Sequence, residues 1–171
     1  MNLMDLLKEA GAEQSIGKIG NQLNLGSSDT HAMIDAVAPA LMRSLQKGSS
    51  SSDGLSSLSR ALESGNHQSY VDRPDVLESA DAVNDGNRIL GHLFGSKDVS
   101  RNVAARAAEQ SGVDPSLIKK ALPLLAGLAM GALSKKSNSG RDAGSVLPSL
   151  LGGDDDGFGV DDVLNLARKF F

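Results

Sequence analysis

The sequence contains no cysteine and no tryptophan, and it has few aromatic residues of any kind. Without cysteine the chain forms no disulfide, no cysteine-ligated zinc or iron–sulfur site, and no thiol nucleophile. One tyrosine, Tyr70, and four phenylalanines offer almost nothing from which a base-stacking platform could be built. These absences remove several classes of metal, redox and nucleic-acid chemistry.

Clusters of basic residues are also missing. Seventeen Lys and Arg stand against 21 Asp and Glu, the formal net charge is −4, and no basic run is longer than two residues. Binding to a phosphate backbone needs a clustered basic face, so this pattern disfavours a nucleic-acid partner. A DNA-associated helical protein stays open as an alternative, although the predicted helix over 99–110 carries only Arg101 and Arg106 as basic residues.

No hydrophobic run is long enough for a membrane helix. The longest uncharged apolar stretch covers residues 121–134, whereas a spanning helix needs about 20 residues. The first ten residues mix acids with leucines and lack the basic region and cleavage site of a signal peptide. The sequence therefore predicts no membrane span, no export and a cytoplasmic location.

Apolar residues at helical spacing are abundant, and β-branched runs are scarce, which predicts an all-α fold. In the first half we expect helices over 3–10, 13–23, 28–46 and from Asp53 to about 62, with Ser28 or Asp29 as the third cap. Residues 65–86 are mainly polar and contain Pro74, so they are predicted as a long loop with one helical turn near 76–83. Helices over 89–94, 99–110 and 115–134 should follow, with starts at Asp98 and Asp114.

Shifting the sequence by 84 positions aligns its two halves: Met33 falls on Leu117 and Pro39 on Pro123. We interpret this match as a divergent duplication of a three- or four-helix unit, with two repeats packed together. The first repeat would cover 1–65, a polar connecting loop 66–85 and the second repeat 86–153. Each proline should bend its helix rather than end it, because apolar periodicity resumes on both sides.

Residues 154–171 stand apart from the repeats. A Gly- and Asp-rich linker precedes a predicted short amphipathic helix over 160–171, whose acids lie in the first turn and whose bases lie in the last. The acidic part superficially matches a calcium loop, but Phe158 takes the fifth ligand position and Asn165 the twelfth. A solvated linker is therefore the favoured interpretation.

The segment 85–95, DGNRILGHLFG, resembles a motif of the YidB-like bacterial family, whose function is unknown. Residues 65–72 and the helix start at 112–115 are similar to that family as well, so the resemblance covers about residues 3–153. It implies an all-helical bacterial protein and brings no activity, cofactor or substrate.

No catalytic, metal or cofactor site is predicted. His31, His67 and His92 are too widely spaced to begin a helical metal site, and neither a nucleophile elbow nor a phosphate loop is present. We expect His92 to bond a backbone carbonyl and His67 to order its loop. An uncharacterised enzyme, the alternative, would use the polar residues Asp72, Asp85, Arg88 and His92.

The predicted function is a non-enzymatic helical binding or self-assembly module with a protein partner. The helix over 121–133 is apolar on nearly every face and must be surrounded. In one arrangement, helices of both repeats enclose it completely. In the other, which is slightly favoured, its side with Ala126, Gly127, Met130 and Gly131 meets another chain or the C-terminal helix. The candidate structural or interaction residues are His67, Asp85, Arg88, Gly91, His92, Phe94, Gly127, Met130, Gly131, Phe170 and Phe171.

Overall fold

A computed structural model describes residues 2–64 and 66–138, with side chains given for 2–62 and 66–136. The described chain is all-α, as predicted, with eight α-helices and no strand. The predicted helix over 160–171, including Phe170 and Phe171, lies outside the described residues. The helices are α1 (Leu3–Glu9), α2 (Glu13–Gln22), α3 (Ser27–Ser49), α4 (Ser52–Ser64), α5 (Ser69–Asp72), α6 (Ala80–Phe94), α7 (Lys97–Ser111) and α8 (Pro115–Asn138), with a 3₁₀ turn at Pro74–Glu78.

Local side chains and glycines set most of the helix ends. Gly95 and Gly112 adopt positive φ and end α6 and α7, a conformation that favours glycine. Asp114 accepts a hydrogen bond of 2.7 Å from the Ser116 backbone N–H, as its predicted capping role requires, and the bonds from Ser116 hold the pKa of Asp114 below its ordinary value.

Two predicted caps are wrong. Helix α3 begins after Gly26 with no side-chain cap, so neither Ser28 nor Asp29 fills that role. The cap of α7 is Ser96, which accepts from the Val99 N–H, and Asp98 lies within the first turn. Each acid is inside its helix, where a negative charge still complements the positive end of the helix dipole.

The region 66–85 is far more helical than predicted. It contains α5, the 3₁₀ turn and the first part of α6, which starts at Ala80 with Ser79 as its cap and not at residue 89. The buried face of this part of α6 consists of the small residues Ala82 and Gly86. A helix is predicted from large apolar residues that recur every three or four positions. This half of α6 buries only small residues, so its sequence predicts a polar loop.

Helix α8 is the centre of the fold. All residues from 121 to 134 are buried, and α8 contacts every other α-helix in the described chain. Neither Pro123 in α8 nor Pro39 in α3 ends its helix. The requirement that an all-round apolar helix be surrounded is therefore met within the chain.

One helix of the described residues is long and apolar enough to cross a membrane by length and composition. It covers Pro115–Lys136, 22 residues, and 78% of its most apolar window is buried inside the fold. The uncharged apolar stretch predicted from the sequence is shorter, because Lys120 and Lys135 limit it to residues 121–134. The core helix of a soluble protein meets the same criterion, so this is weak evidence for a membrane span.

Helix α6 crosses α8 with direct backbone contact. A Cβ atom added at Gly86 would overlap the carbonyl group of Pro123. The absence of a side chain at this position is therefore what allows the two helices to approach so closely. Along the same helix Gly91 is exposed and has open space around it.

Candidate functional site

A polar cluster lies between the segment around α5 and helix α6. The Tyr70 hydroxyl donates a hydrogen bond of 2.8 Å to Asp85 Oδ2, and His67 Nδ1 is 3.0 Å from the same oxygen. His67 and Tyr70 are 5% and 7% exposed, so both side chains have left water. The His67–Asp85 contact is short but lacks the alignment of a hydrogen bond, which leaves Nδ1 without a hydrogen-bond partner in the described chain. One carboxylate therefore lies against two buried groups and accepts a hydrogen bond from one of them, the Tyr70 hydroxyl.

This cluster keeps Tyr70 neutral. Burial is the main cause that raises the pKa of Tyr70 far above its ordinary value of about 10, and the hydrogen bond to Asp85 and the negative charges of Asp85 and Asp81 add to it. A phenol held in this state donates a hydrogen bond and does not act as a base. The cluster thus ties α5 to α6, and its three side chains line none of the three cavities described below.

The ionisation of Tyr70 gives a direct test of the cluster. Because folding raises the pKa of Tyr70, its neutral phenol stabilises the folded state. This stability is fully present below about pH 10, and it falls by about 1.4 kcal/mol per pH unit as the pH rises above that value. We therefore expect tyrosinate absorbance to appear well above pH 10 in the folded protein and near pH 10 in denaturant. Tyr70 is the only tyrosine of the chain, so the signal has one source. Tyr70→Phe should lose less stability at alkaline pH, and a native titration near pH 10 would contradict the cluster.

Two glycines of α8 allow residues 66–72, which we call the α5 segment, to lie against that helix. A Cβ added at Gly131 would overlap the His67 carbonyl oxygen, and one at Gly127 would lie 3.2 Å from the Tyr70 ring. Ala126 and Met130 are 1% and 2% exposed. The chain's own residues thus cover the glycine side of α8, which corrects the expectation that another chain or the C-terminal helix covers it.

His92 takes a position that differs from the predicted one. It is exposed on α6, and no hydrogen bond to a backbone carbonyl is found for it among the described residues. Asp85 faces His67, and Asp72 forms an ion pair of 2.8 Å with Lys135, while Arg88 is exposed. Among the described residues, no hydrogen bond or ion pair joins any two of the four polar residues nominated for an enzyme site. Within the described residues no group of three or more His, Asp or Glu could hold a metal ion.

The two histidines should respond differently to the same substitution. His67→Asn is expected to cost about 1–2 kcal/mol of unfolding free energy, because a buried ring is replaced by a smaller side chain. His92→Asn should change stability by less than about 0.5 kcal/mol, as is usual at exposed positions. Urea unfolding followed by circular dichroism measures both. A larger loss at His92 than at His67 would contradict the placement of the two rings.

Sequence reasoning missed the partnership of Tyr70 with Asp85, which are 15 residues apart. The available signal was the stretch 65–72, in which a histidine and the single tyrosine stand three residues apart. Such a spacing brings side chains to one side of a helical turn. Nothing in the pattern identifies the acid that faces them.

An apolar groove opens where the end of α3, α4 and α6 meet above α8. We call it the α4 groove; its volume is about 290 Å³, and Met130, 2% exposed, lies among its lining residues. Leu58 and Leu93 line it as half-buried side chains, and Ser57 and His92 are the exposed polar residues. The remaining lining residues are Leu45, Gly48, Gly54, Ala61 and Ile89.

Two other cavities are larger and have more charged linings. One of about 510 Å³ lies between α2 and the start of α3 and includes Lys8, Glu13 and His31. The other, of about 700 Å³, lies among α6, α7 and α8 and includes Lys97 and Lys119, with Gly91 at its edge. Among the three cavities, the α4 groove is the one with no Asp, Glu, Lys or Arg in its lining.

Comparison with known proteins gives a family and no function. No curated protein and no solved structure matches the chain. The family described as bacterial protein of unknown function (DUF937) matches residues 5–136. The matched part includes the buried cluster and the α4 groove, and it confirms the family resemblance seen in the segment 85–95. The chain therefore belongs to this bacterial family of unknown function.

Proposed function

We propose that the protein is a non-enzymatic helical binding module that takes up the apolar face of a partner's amphipathic helix in the α4 groove. The observation that carries this proposal is the groove itself, an opening lined by apolar and small residues with half-buried leucines at its sides. A helix bound in a groove is held by apolar anchors at spacings of three and four residues.

The size and chemistry of the groove support a helix as its occupant. Pockets for drug-sized molecules run from about 300 to 1,000 Å³ and contain a few well-placed polar groups. The α4 groove has about 290 Å³ and only Ser57 and His92 as polar lining side chains besides backbone atoms.

The raised pKa of Tyr70 and the contacts of Asp85 support a non-enzymatic role. The raised pKa of Tyr70 and the position of Asp85 between two buried partners suit a structural link. Catalytic acids and bases more often occupy a cleft that substrate can enter. His92 is the one histidine on the groove, and it is exposed at the edge.

Duplication, self-assembly and location belong to the same proposal. The two longest helices, α3 and α8, each carry an internal proline, which supports the proposed duplication and with it an assembly of like units. A second copy of this chain is then one source of the bound helix. The absence of cysteine suits a cytoplasmic setting.

Site-specific cross-linking tests the proposal in the whole chain. Because the protein has no cysteine, Ser57→Cys provides a single attachment point for a photo-activated label at the groove. Asn102→Cys, at an exposed position of α7 outside the groove, is the matched control. We expect label at residue 57 to capture a discrete protein in bacterial extract, through a segment with apolar residues at helical spacing.

The contrary outcome is equally specific. Leu58→Asp in the Ser57→Cys chain should abolish the captured product, because the carboxylate would enter an apolar groove. Identical products from labels at 57 and 102, or products that persist with Leu58→Asp in a folded chain, would show that the α4 groove is not the binding surface.

A further inference from the structure

We propose that the chain's own C-terminal segment, residues 160–171, occupies the α4 groove when no partner is bound. The inference rests on the proposed function, since it requires that the groove accept an apolar helix. It names the occupant and implies that a partner must compete with this segment.

The pattern of the segment fits the groove. Val160, Val163, Leu164, Ala167 and Phe171 recur at spacings of three and four residues, which places them on one side of a helix. An amphipathic helix of 12 residues is marginal in water and needs a surface on which to bury that side. The α4 groove is lined with apolar and small residues and carries no charged Asp, Glu, Lys or Arg side chain that would oppose such a contact.

The end of α8 lies close enough for the segment to reach the groove. Met130 lines the groove, and α8 continues from it to Asn138, about 12 Å along the helix axis at about 1.5 Å per residue. The Ser134 hydroxyl lies 3.4 Å from the Leu62 carbonyl oxygen, so the last turns of α8 run beside the end of α4. The described chain thus ends about 12 Å along α8 from the groove residue Met130.

Residues 139–159 provide the connection. These 21 residues reach at most about 70 Å at about 3.3 Å per residue, so the chain is long enough to bring residues 160–171 from Asn138 to the groove. Because the segment and the groove belong to one chain, their contact is intramolecular and does not depend on protein concentration. Even a weak helix–groove contact is then favoured over the binding of a dilute partner.

The family match separates the two parts. All the groove residues lie within the matched residues 5–136, and the segment 160–171 lies beyond them. The binding surface therefore belongs to the part that defines the family, while the proposed occupant is an addition to it. A segment that covers a binding surface shared by the family would lie outside the matched residues, as 160–171 does.

Disulfide formation within the full chain tests the contact. In the double variant Ser57→Cys, Ala167→Cys, we expect mild oxidation to form an intramolecular disulfide. The control pair Asn102→Cys, Ala167→Cys should react roughly tenfold more slowly or less, because effective concentration falls when the two sites are not held together. Equal rates for the two pairs would overturn the inference. Leu164→Asp added to the first pair should bring its rate down to that of the control.

A competition experiment separates this inference from the proposed function. A labelled peptide of residues 158–171 is added to the full wild-type chain and to the full chain with Leu164→Asp and Phe171→Asp. The doubly substituted chain should bind the peptide roughly tenfold more tightly or better, since its own segment no longer competes. Ser57→Arg in that chain should remove the binding; this exposed position leaves the core intact, and circular dichroism verifies the fold.

The outcomes are distinguishable. Equal peptide affinity for the two chains overturns the inference and leaves the groove as a binding surface. Absence of peptide binding to the substituted chain also overturns it, and the proposed function then stands only if the label at residue 57 still captures a partner. If neither the peptide nor a partner binds, both proposals fail.

Discussion

Gly86→Ala is expected to destabilise the protein by about 3 kcal/mol, because a small-to-large change that forces backbone to move costs about 1–3 kcal/mol and occasionally more. The added methyl group would overlap the Pro123 carbonyl, which belongs to the buried central helix and cannot turn away like a side chain. Alanine raises helix propensity by less than about 1 kcal/mol, which does not offset the overlap.

Gly91→Ala is the matched control on the same helix. Gly91 is exposed and has nothing within 4 Å of an added Cβ, so alanine there should stabilise α6 by about 0.5–1 kcal/mol. Urea unfolding followed by far-ultraviolet circular dichroism gives both values. If both substitutions stabilise the protein, α6 and α8 do not touch at Gly86.

Asp85→Ala should have the second large effect, a loss of about 2–3 kcal/mol of unfolding free energy. The Asp85 carboxylate is the acceptor for the buried Tyr70 hydroxyl and lies against His67 Nδ1. Its removal leaves the Tyr70 hydroxyl without its acceptor and takes the nearby carboxylate away from His67 Nδ1, and a buried polar group without a partner retains its desolvation cost. Thermal or urea unfolding measures the loss.

Graded variants show whether the hydrogen bond is the cause. Asp85→Asn keeps an oxygen acceptor for Tyr70, so it should lose less stability than Asp85→Ala. Asn84→Ala, at the exposed neighbouring position of α6, should change stability by less than about 0.5 kcal/mol. Tyr70→Phe combined with Asp85→Ala should cost little more than Asp85→Ala alone, since the two residues act as a pair. Additive losses would mean that they do not interact.

Helix ends were the part of the fold most accessible from sequence. Gly95, Gly112 and the pair Asp114-Pro115 mark boundaries that the structure shows within a residue or two. Their effects are local, because a glycine at positive φ or a capping carboxylate acts on its own turn. The start of α6 was missed, since its buried face is made of Ala82 and Gly86 and gives no large apolar period.

The sequence by itself determined that the chain is all-α, that it belongs with YidB-like proteins, and that the helix over 121–133 must be enclosed. Composition and spacing are sufficient for the first and last of these conclusions because they depend on neighbouring residues. The family was identified from the resemblance of the segment 85–95, which the match over residues 5–136 confirms. Only the tertiary structure decided what encloses that helix: the α5 segment lies on Gly127 and Gly131, and α6 crosses at Pro123. The pairing of Tyr70 with Asp85 and the lining of the α4 groove are of the same kind, since each joins residues far apart in the chain. Such contacts are set by how whole helices pack, which no local spacing encodes.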